Sequence, residues 1–254
     1  MLIALTRGVS PSLGDCELQD LTRQQIDIPK AIEQHRNYRS CLADLGVQIL
    51  EIPADPFCPD CVFVEDPVVV VDQAAVMTRM GVASRRGEGP AIEEALSRFR
   101  PVLRLTEPAT LEGGDVMRIG KTLYVGLSRR TNEEGVSQLG ELLGPFGYRV
   151  VPIPVHGCLH LKSACCYLGK QTILANREWI DASALGDFRI IDIPAEEPRG
   201  ANVLRIGETL VLPASYPRTH KLLRRAGFQL RTVDVSEFEK AEGAVTCTSV
   251  LFDT

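Results

Sequence analysis

The feature that most constrains this chain is that it repeats itself. Asp115 to Gly126 reads DVMRIGKTLYVG, and Asn202 to Pro213 reads NVLRIGETLVLP. Both describe a strand, a tight turn at Ile-Gly and a second strand. Each runs on to an Arg-Thr pair, at Arg130-Thr131 and Arg218-Thr219. The same outline starts at Asp66 (DPVVVVDQAAVMTRMG), at His160 (HLKSACCYLGKQTILAN) and at Cys247 (CTSVLF). The starts are spaced 115−66 = 49, 160−115 = 45, 202−160 = 42 and 247−202 = 45.

Apolar stretches ending at Pro53, Pro108, Pro154, Pro194 and Val235 precede the five starts. Helical spacing of apolar residues marks Ile28 to Leu45, which stops at Gly46, and also Ala91 to Phe99, Asn132 to Leu143 and Thr219 to Ala226. A fifth candidate, fourth in chain order, around Asp181 to Leu185, is short. The repeating unit is therefore strand, strand, helix, strand. Five such units predict a ring, a pseudo-fivefold α/β propeller formed by residues 1–254 as one domain. The last hairpin lacks its second strand. The N-terminal LIALTRG resembles AVMTRMG of the first hairpin and is expected to supply that strand, closing the ring and leaving no long free edge. The alternative is an open α/β fold with coincidental periodicity.

In a ring, equivalent positions meet near the axis. Asp66, Asp115, His160, Asn202 and Cys247 are all polar or reactive, although each introduces an apolar hairpin. Polar groups in the middle of a domain are costly unless they pair or do chemistry. Cysteine attacks as thiolate, and histidine moves protons near neutral pH. A carboxylate such as Glu112 would orient that histidine. Asp60, Glu65 and Asp66 would raise the thiol pKa unless something cationic neutralised them. A planar guanidinium, with its fork of donors, suits several carboxylates together. Asp115 and Asn202 read as structural groups.

A net charge of −5 disfavours nucleic acid or an anionic membrane as partner. No run approaches the ~18 apolar residues of a membrane span. MLIALTRGV has no basic leader, so the cytoplasm is the default expectation. The eight cysteines are then expected to be free thiols. Cys58-x-x-Cys61 and His156-x-x-x-His160 together resemble zinc ligands only superficially, being 156−61 = 95 positions apart. No nucleotide-binding glycine motif occurs, and no cofactor or resident metal is expected.

Longer motifs carry a resemblance. PDCVFVEDP (59–67), SRRGE (84–88), LEGGD (111–115), GLSRRTNEEG (126–135), LHLKS (159–163), GAN (200–202), YPRT (216–219) and EGAVTCTSVL (242–251) resemble the dimethylarginine dimethylaminohydrolases of the pentein superfamily. The resemblance runs along nearly the whole chain. It implies a five-unit propeller that splits methylated arginine into citrulline and an alkylamine. Cys247 would be the nucleophile, His160 the acid and base, and Glu112 its partner. Asp60, Glu65 and Asp66 would clasp the guanidinium and the neighbouring polar groups. Arg85 and Arg130 would hold the substrate carboxylate, with Arg86 and Arg129 as one-residue alternatives. Leu18, in a lid loop, and the backbone near Ala241 would complete the pocket. Related enzymes take zinc at the active cysteine as an inhibitor, and the resemblance extends that here. Cys58 and Cys61 depart from the family pattern. The rival readings are an arginine deiminase or amidinotransferase, which share nucleophile and fold, and a non-catalytic pentein. A homodimer is compatible with all of them.

Overall fold

The computed structural model describes residues 1–254. It contains five three-stranded sheets. Fifteen strands follow in order: β1 (Leu2–Arg7), β2 (Gln48–Ile52), β3 (Val68–Val70), β4 (Ala75–Met77), β5 (Val102–Arg104), β6 (Val116–Ile119), β7 (Thr122–Leu127), β8 (Arg149–Pro154), β9 (Cys165–Gly169), β10 (Thr172–Ala175), β11 (Arg189–Asp192), β12 (Leu204–Ile206), β13 (Thr209–Pro213), β14 (Gln229–Val233) and β15 (Val250–Asp253). In every sheet a hairpin pairs antiparallel and the third strand adds parallel to the hairpin's second. A parallel neighbour needs a crossover. That role falls to α1 (Ile28–Asp44), α2 (Gly89–Ser97), α3 (Glu133–Leu143) and α5 (Pro217–Arg225), while the fourth unit crosses by a short 3-10 turn at Ala182–Leu185. Two single-turn helices, α4 (Leu161–Ala164) and α6 (Ser236–Glu239), complete the chain.

Local chemistry sets the helix ends. Asp27 caps α1 by accepting from Lys30 N–H (3.0 Å), and Asn132 caps α3 by accepting from Gly135 N–H (2.8 Å). Pro29 and Pro217 stand in the first turns of α1 and α5, where a missing N–H costs nothing. α5 consequently starts at Pro217, two residues before the apolar spacing begins at Thr219.

The ring closes as the sequence predicts. β1 pairs antiparallel with β15 (Ile3 opposite Phe252, Leu5 opposite Val250) and parallel with β2. Side chains alternate along a strand, so successive residues face opposite neighbours. Ile3 and Leu5 pack with Val68, Ala75 and Met77 of the next unit, while Ala4 joins Ile206, Val211 and Val233 of the preceding one. Ile173 packs toward Tyr124 and Ile153, and Leu174 toward Leu210 and Leu212. Val76 completes the set against Leu123 and Val125. Five apolar clusters thus lie between successive units, and no unit buries both its faces alone. This explains why the strands are apolar on both sides.

If closure matters as much as any internal interface, Leu5→Ala and Leu123→Ala should destabilise alike. Both side chains are fully buried. Each substitution should cost about 2–5 kcal/mol, read as a lowered denaturant midpoint. A Leu5→Ala protein as stable as its parent would show that β1 is dispensable.

Candidate active site

The five unit starts meet at one end of the ring axis. Asp66, Asp115, His160 and Asn202 are buried, whereas Cys247 keeps part of its surface accessible. Most of them sit on short connections just ahead of the inner strands β3, β6, β12 and β15. His160 differs from the expectation, because the one-turn α4 separates it from β9. That turn aims Leu161 N–H at Asp115 Oδ1 (2.9 Å).

His160 Nε2 lies 2.7 Å from Glu112 Oε2, and Nδ1 lies 3.8 Å from Asp66 Oδ1. Glu112 Oε1 also accepts from Gly81 N–H (3.0 Å) and Arg130 Nη1 (3.2 Å). Burial alone would lower the pKa of His160. The facing carboxylates of Asp66, Glu112 and Asp115 outweigh it and raise the imidazole to about 9. Glu112 answers in the opposite direction: burial opposes ionisation, but His160, Arg85 and Arg130 hold the carboxyl well below its usual range. The pair is therefore an imidazolium and a carboxylate at neutral pH.

Cys247 is treated oppositely. Enclosure by protein, followed by the charges of Glu65 and Asp66, pushes its thiol up to about 12. Its carbonyl accepts from Glu65 N–H (3.2 Å). The preceding Thr246 donates its hydroxyl to Glu65 Oε2 (3.0 Å) and its N–H to Asn202 Oδ1 (3.1 Å). Asn202 Nδ2 donates to Lys162 O (3.1 Å), and Lys162 Nζ reaches Glu65 Oε1 (2.5 Å). Asn202 thus ties the His160 turn to the Cys247 turn. Asp115 is structural as well, accepting from Ser128 and Thr131 hydroxyls at 2.7 Å each.

The remaining residues singled out in the sequence fall around this centre. Arg85 and Arg130 are buried beside the centre, while their neighbours Arg86 and Arg129 are exposed. Arg85 is held on three sides, by Asp66 Oδ2 and by both oxygens of Glu88, each at 2.9 Å. Glu88 was not legible as a partner, although it closes the SRRGE motif three residues on, a spacing that suits a bidentate clasp. Asp60 is buried and accepts from Glu17 N–H (3.0 Å). Leu18 and Cys247 pack against one cluster with Ala241 and Phe63. Lys162 and Thr246, present in the motifs without a role, are the unforeseen partners of Glu65.

Glycine makes the centre possible. A Cβ on Gly114 would lie 2.5 Å from His160 Nδ1 and 2.8 Å from Asp66 Oδ1, and one on Gly113 would lie 2.0 Å from Glu65 O. Cys58, Cys61 and His156 form no metal cluster. Asp66, Glu112 and His160 do bring ligand atoms within 4.8 Å of one another. Arg85 and Arg130 already engage both carboxylates, so the set could hold an ion only by displacing those pairs.

Comparisons with known proteins place the chain in a family. A family model described as "N,N dimethylarginine dimethylhydrolase, eukaryotic" matches residues 16–250. The chain is 44% identical over 250 residues to the N(G),N(G)-dimethylarginine dimethylaminohydrolase of Streptomyces coelicolor, covering 97% of this chain and 95% of that one. It is 41% identical over 228 residues to its counterpart from Pseudomonas aeruginosa, covering 89% and 90%. The crystal structure of a cysteine-to-serine variant of the Pseudomonas aeruginosa enzyme, complexed with citrulline, superposes with a TM-score of 0.92 at 38% identity and 98% coverage of both chains.

Two outcomes follow from the geometry. Replacing Glu112 by Gln should lower the His160 pKa from about 9 by roughly 1–3 pH units, as followed by imidazole NMR titration. Because that pKa is raised on folding, the imidazolium stabilises the fold fully below about pH 6.5, and this contribution is lost as pH rises through about 9. The parent's stability should therefore fall across that window more than that of the Glu112→Gln protein. Gly114→Ala, which pushes into His160, should cost about 100-fold or more in turnover with secondary structure retained in circular dichroism.

Proposed function

The chain belongs to the dimethylarginine dimethylaminohydrolase family, and from that premise we propose how its axial site hydrolyses Nω-methylated arginines to citrulline and an alkylamine. The convergence of Cys247, His160 and Glu112 among further carboxylates carries the reading. With Glu65 and Asp66 beside it, the free thiol stays protonated at neutral pH. A bound guanidinium reverses the local field. It pairs with the carboxylates and favours the thiolate, so the nucleophile forms when its target is present.

The thiol loses its proton to water, and Cys247 Sγ forms a bond to the guanidinium carbon. His160 spends Nε2 on Glu112, which leaves Nδ1–H as the proton to deliver. As the carbon–nitrogen bond breaks, that proton passes to the departing methylamine or dimethylamine. The covalent intermediate is a thiouronium on Cys247. The neutral imidazole then accepts a proton from water as its oxygen attacks the same carbon; the carbon–sulfur bond breaks with sulfur leaving as thiolate, which takes up the remaining hydroxyl proton, so that citrulline and the Cys247 thiol are released. Glu112 keeps the ring oriented and stabilises its charged form in both halves of the cycle.

In this reading Asp66, Glu65 and Asp60 receive the cationic groups. Arg130 and the two N–H groups of Arg85 not engaged by Asp66 and Glu88 receive the substrate carboxylate. Leu18 and the Ala241 backbone close the apolar side. Eight free cysteines support placement in the reducing cytoplasm. No helix is long and apolar enough to cross a membrane. The acidic net charge supports a small-molecule substrate over nucleic acid.

The test is citrulline formation from asymmetric dimethylarginine, monomethylarginine and arginine. Citrulline should appear from the methylated substrates and fall at least ~10³-fold in a Cys247→Ser protein. Arginine as the preferred substrate would move the chain to the deiminase chemistry. Unchanged turnover in Cys247→Ser would rule out the covalent route.

A further inference from the structure

Residue 242 occupies a backbone position that disfavours a side chain, and yet it is a glutamate. Its φ is +60°, in the left-handed region where glycine is the unstrained choice. The neighbouring Gly243 is confined for another reason, since a Cβ there would lie 2.2 Å from the Phe63 ring. The carboxylate of Glu242 shows what offsets the strain. Its Oε2 accepts from Gln19 N–H (2.9 Å), and its Oε1 accepts from Asp20 N–H (2.6 Å) and Leu21 N–H (2.6 Å). Three consecutive backbone amides converge on one carboxylate, forming an anion nest occupied by a side chain.

Those amides belong to the stretch after the short 3-10 turn Leu13–Asp15, which has no helix or strand to hold it until α1 begins at Ile28. The stretch touches the site at several points. Glu17 N–H donates to Asp60, and Gln19 Oε1 accepts from Arg130 Nε. Asp20 pairs with Arg129, and Glu17 accepts from Ser84. Gln19 Nε2 is shielded and has no acceptor, which leaves an amide donor beside Arg130 for an anionic group of the substrate. On the other side, Glu242 adjoins Ala241 and leads directly into the Cys247 turn.

We propose that Glu242 is the latch of the active-site lid. Its carboxylate gathers Gln19 to Leu21 so that Leu18 and Gln19 close over a substrate held by Arg130 and Asp60. The role is one of positioning, since Glu242 acts through the lid. It rests on the hydrolase reading above. It adds a residue that couples lid closure to the segment carrying the nucleophile, across 222 positions of sequence.

The full-length parent is compared with Glu242→Gly and Glu242→Gln in three measurements: amide hydrogen exchange at residues 19–21, thermal midpoint, and KM and kcat on methylarginine. Glu242→Gly should speed exchange at the three amides and raise KM about tenfold, with kcat changed less than about threefold, because hydrogen bonds to a charged group are lost while the chemistry is not. Its thermal midpoint should change little, because glycine relieves the strained positive φ as the hydrogen bonds are lost. Glu242→Gln keeps one acceptor oxygen and should recover part of both effects. Parental exchange and parental KM in Glu242→Gly would overturn the latch, as would a lowered thermal midpoint with unchanged exchange. If the parent itself made no citrulline, the hydrolase reading would fall, and amide exchange would still decide whether Glu242 holds the lid.

Discussion

The antiparallel pairing of β15 with β1 is the contact on which the rest of the structure depends. It joins the last hairpin strand to the first residues of the chain and so turns a row of four sheets into a ring of five. Without it, the apolar faces of β1 and of the β12–β14 sheet would lack a partner, because each cluster is shared between two units. Closure also brings the turn bearing Cys247 to the axis, where Asn202, Lys162 and Glu65 fix it against the turn bearing His160. The turns bearing Cys247 and His160 are thus placed by the interaction that completes the core.

The centre works by keeping two titrating groups apart. Asp66 belongs to both sides: with Glu112 and Asp115 it raises the His160 imidazole, and with Glu65 it adds to the burial that raises the Cys247 thiol. An enzyme with a resting thiolate would be open to oxidation and to any passing electrophile. We propose that Cys247 becomes a nucleophile only when a cation is bound. Arg85 and Arg130 offset the mutual repulsion of the acidic cluster, and Glu88 and Glu112 hold those arginines in turn.

Much of this was legible in the sequence, because a ring translates periodicity into proximity. The spacing near 45 residues places Asp66, Asp115, His160, Asn202 and Cys247 together with no distance information. The four longer helices were visible from spacing and caps, with errors of a residue or two at their ends where Pro217 and Asn132 decide the boundary. The ion-pair partners were not legible. Nothing local distinguishes Arg85 from Arg86; only packing buries one and leaves the other in solvent. Glu88, Lys162 and Glu242 find their partners across the fold, and no periodic pattern reports a contact between residue 242 and residues 19–21. The turn of α4 was missed because LKSA follows His160 in a run that reads equally well as strand.

The cationic substrate is proposed to create the nucleophile. The direct measurement is the pH titration of the Cys247 thiolate by its ultraviolet absorbance, taken as the difference between the parent and Cys247→Ser, with and without a non-reactive guanidinium ligand. Almost no thiolate is expected at neutral pH in the free protein, its pKa being raised from the ordinary 9.0 to about 12, with a marked fall when the guanidinium binds. A thiolate already present at neutral pH, unchanged by the ligand, would contradict it.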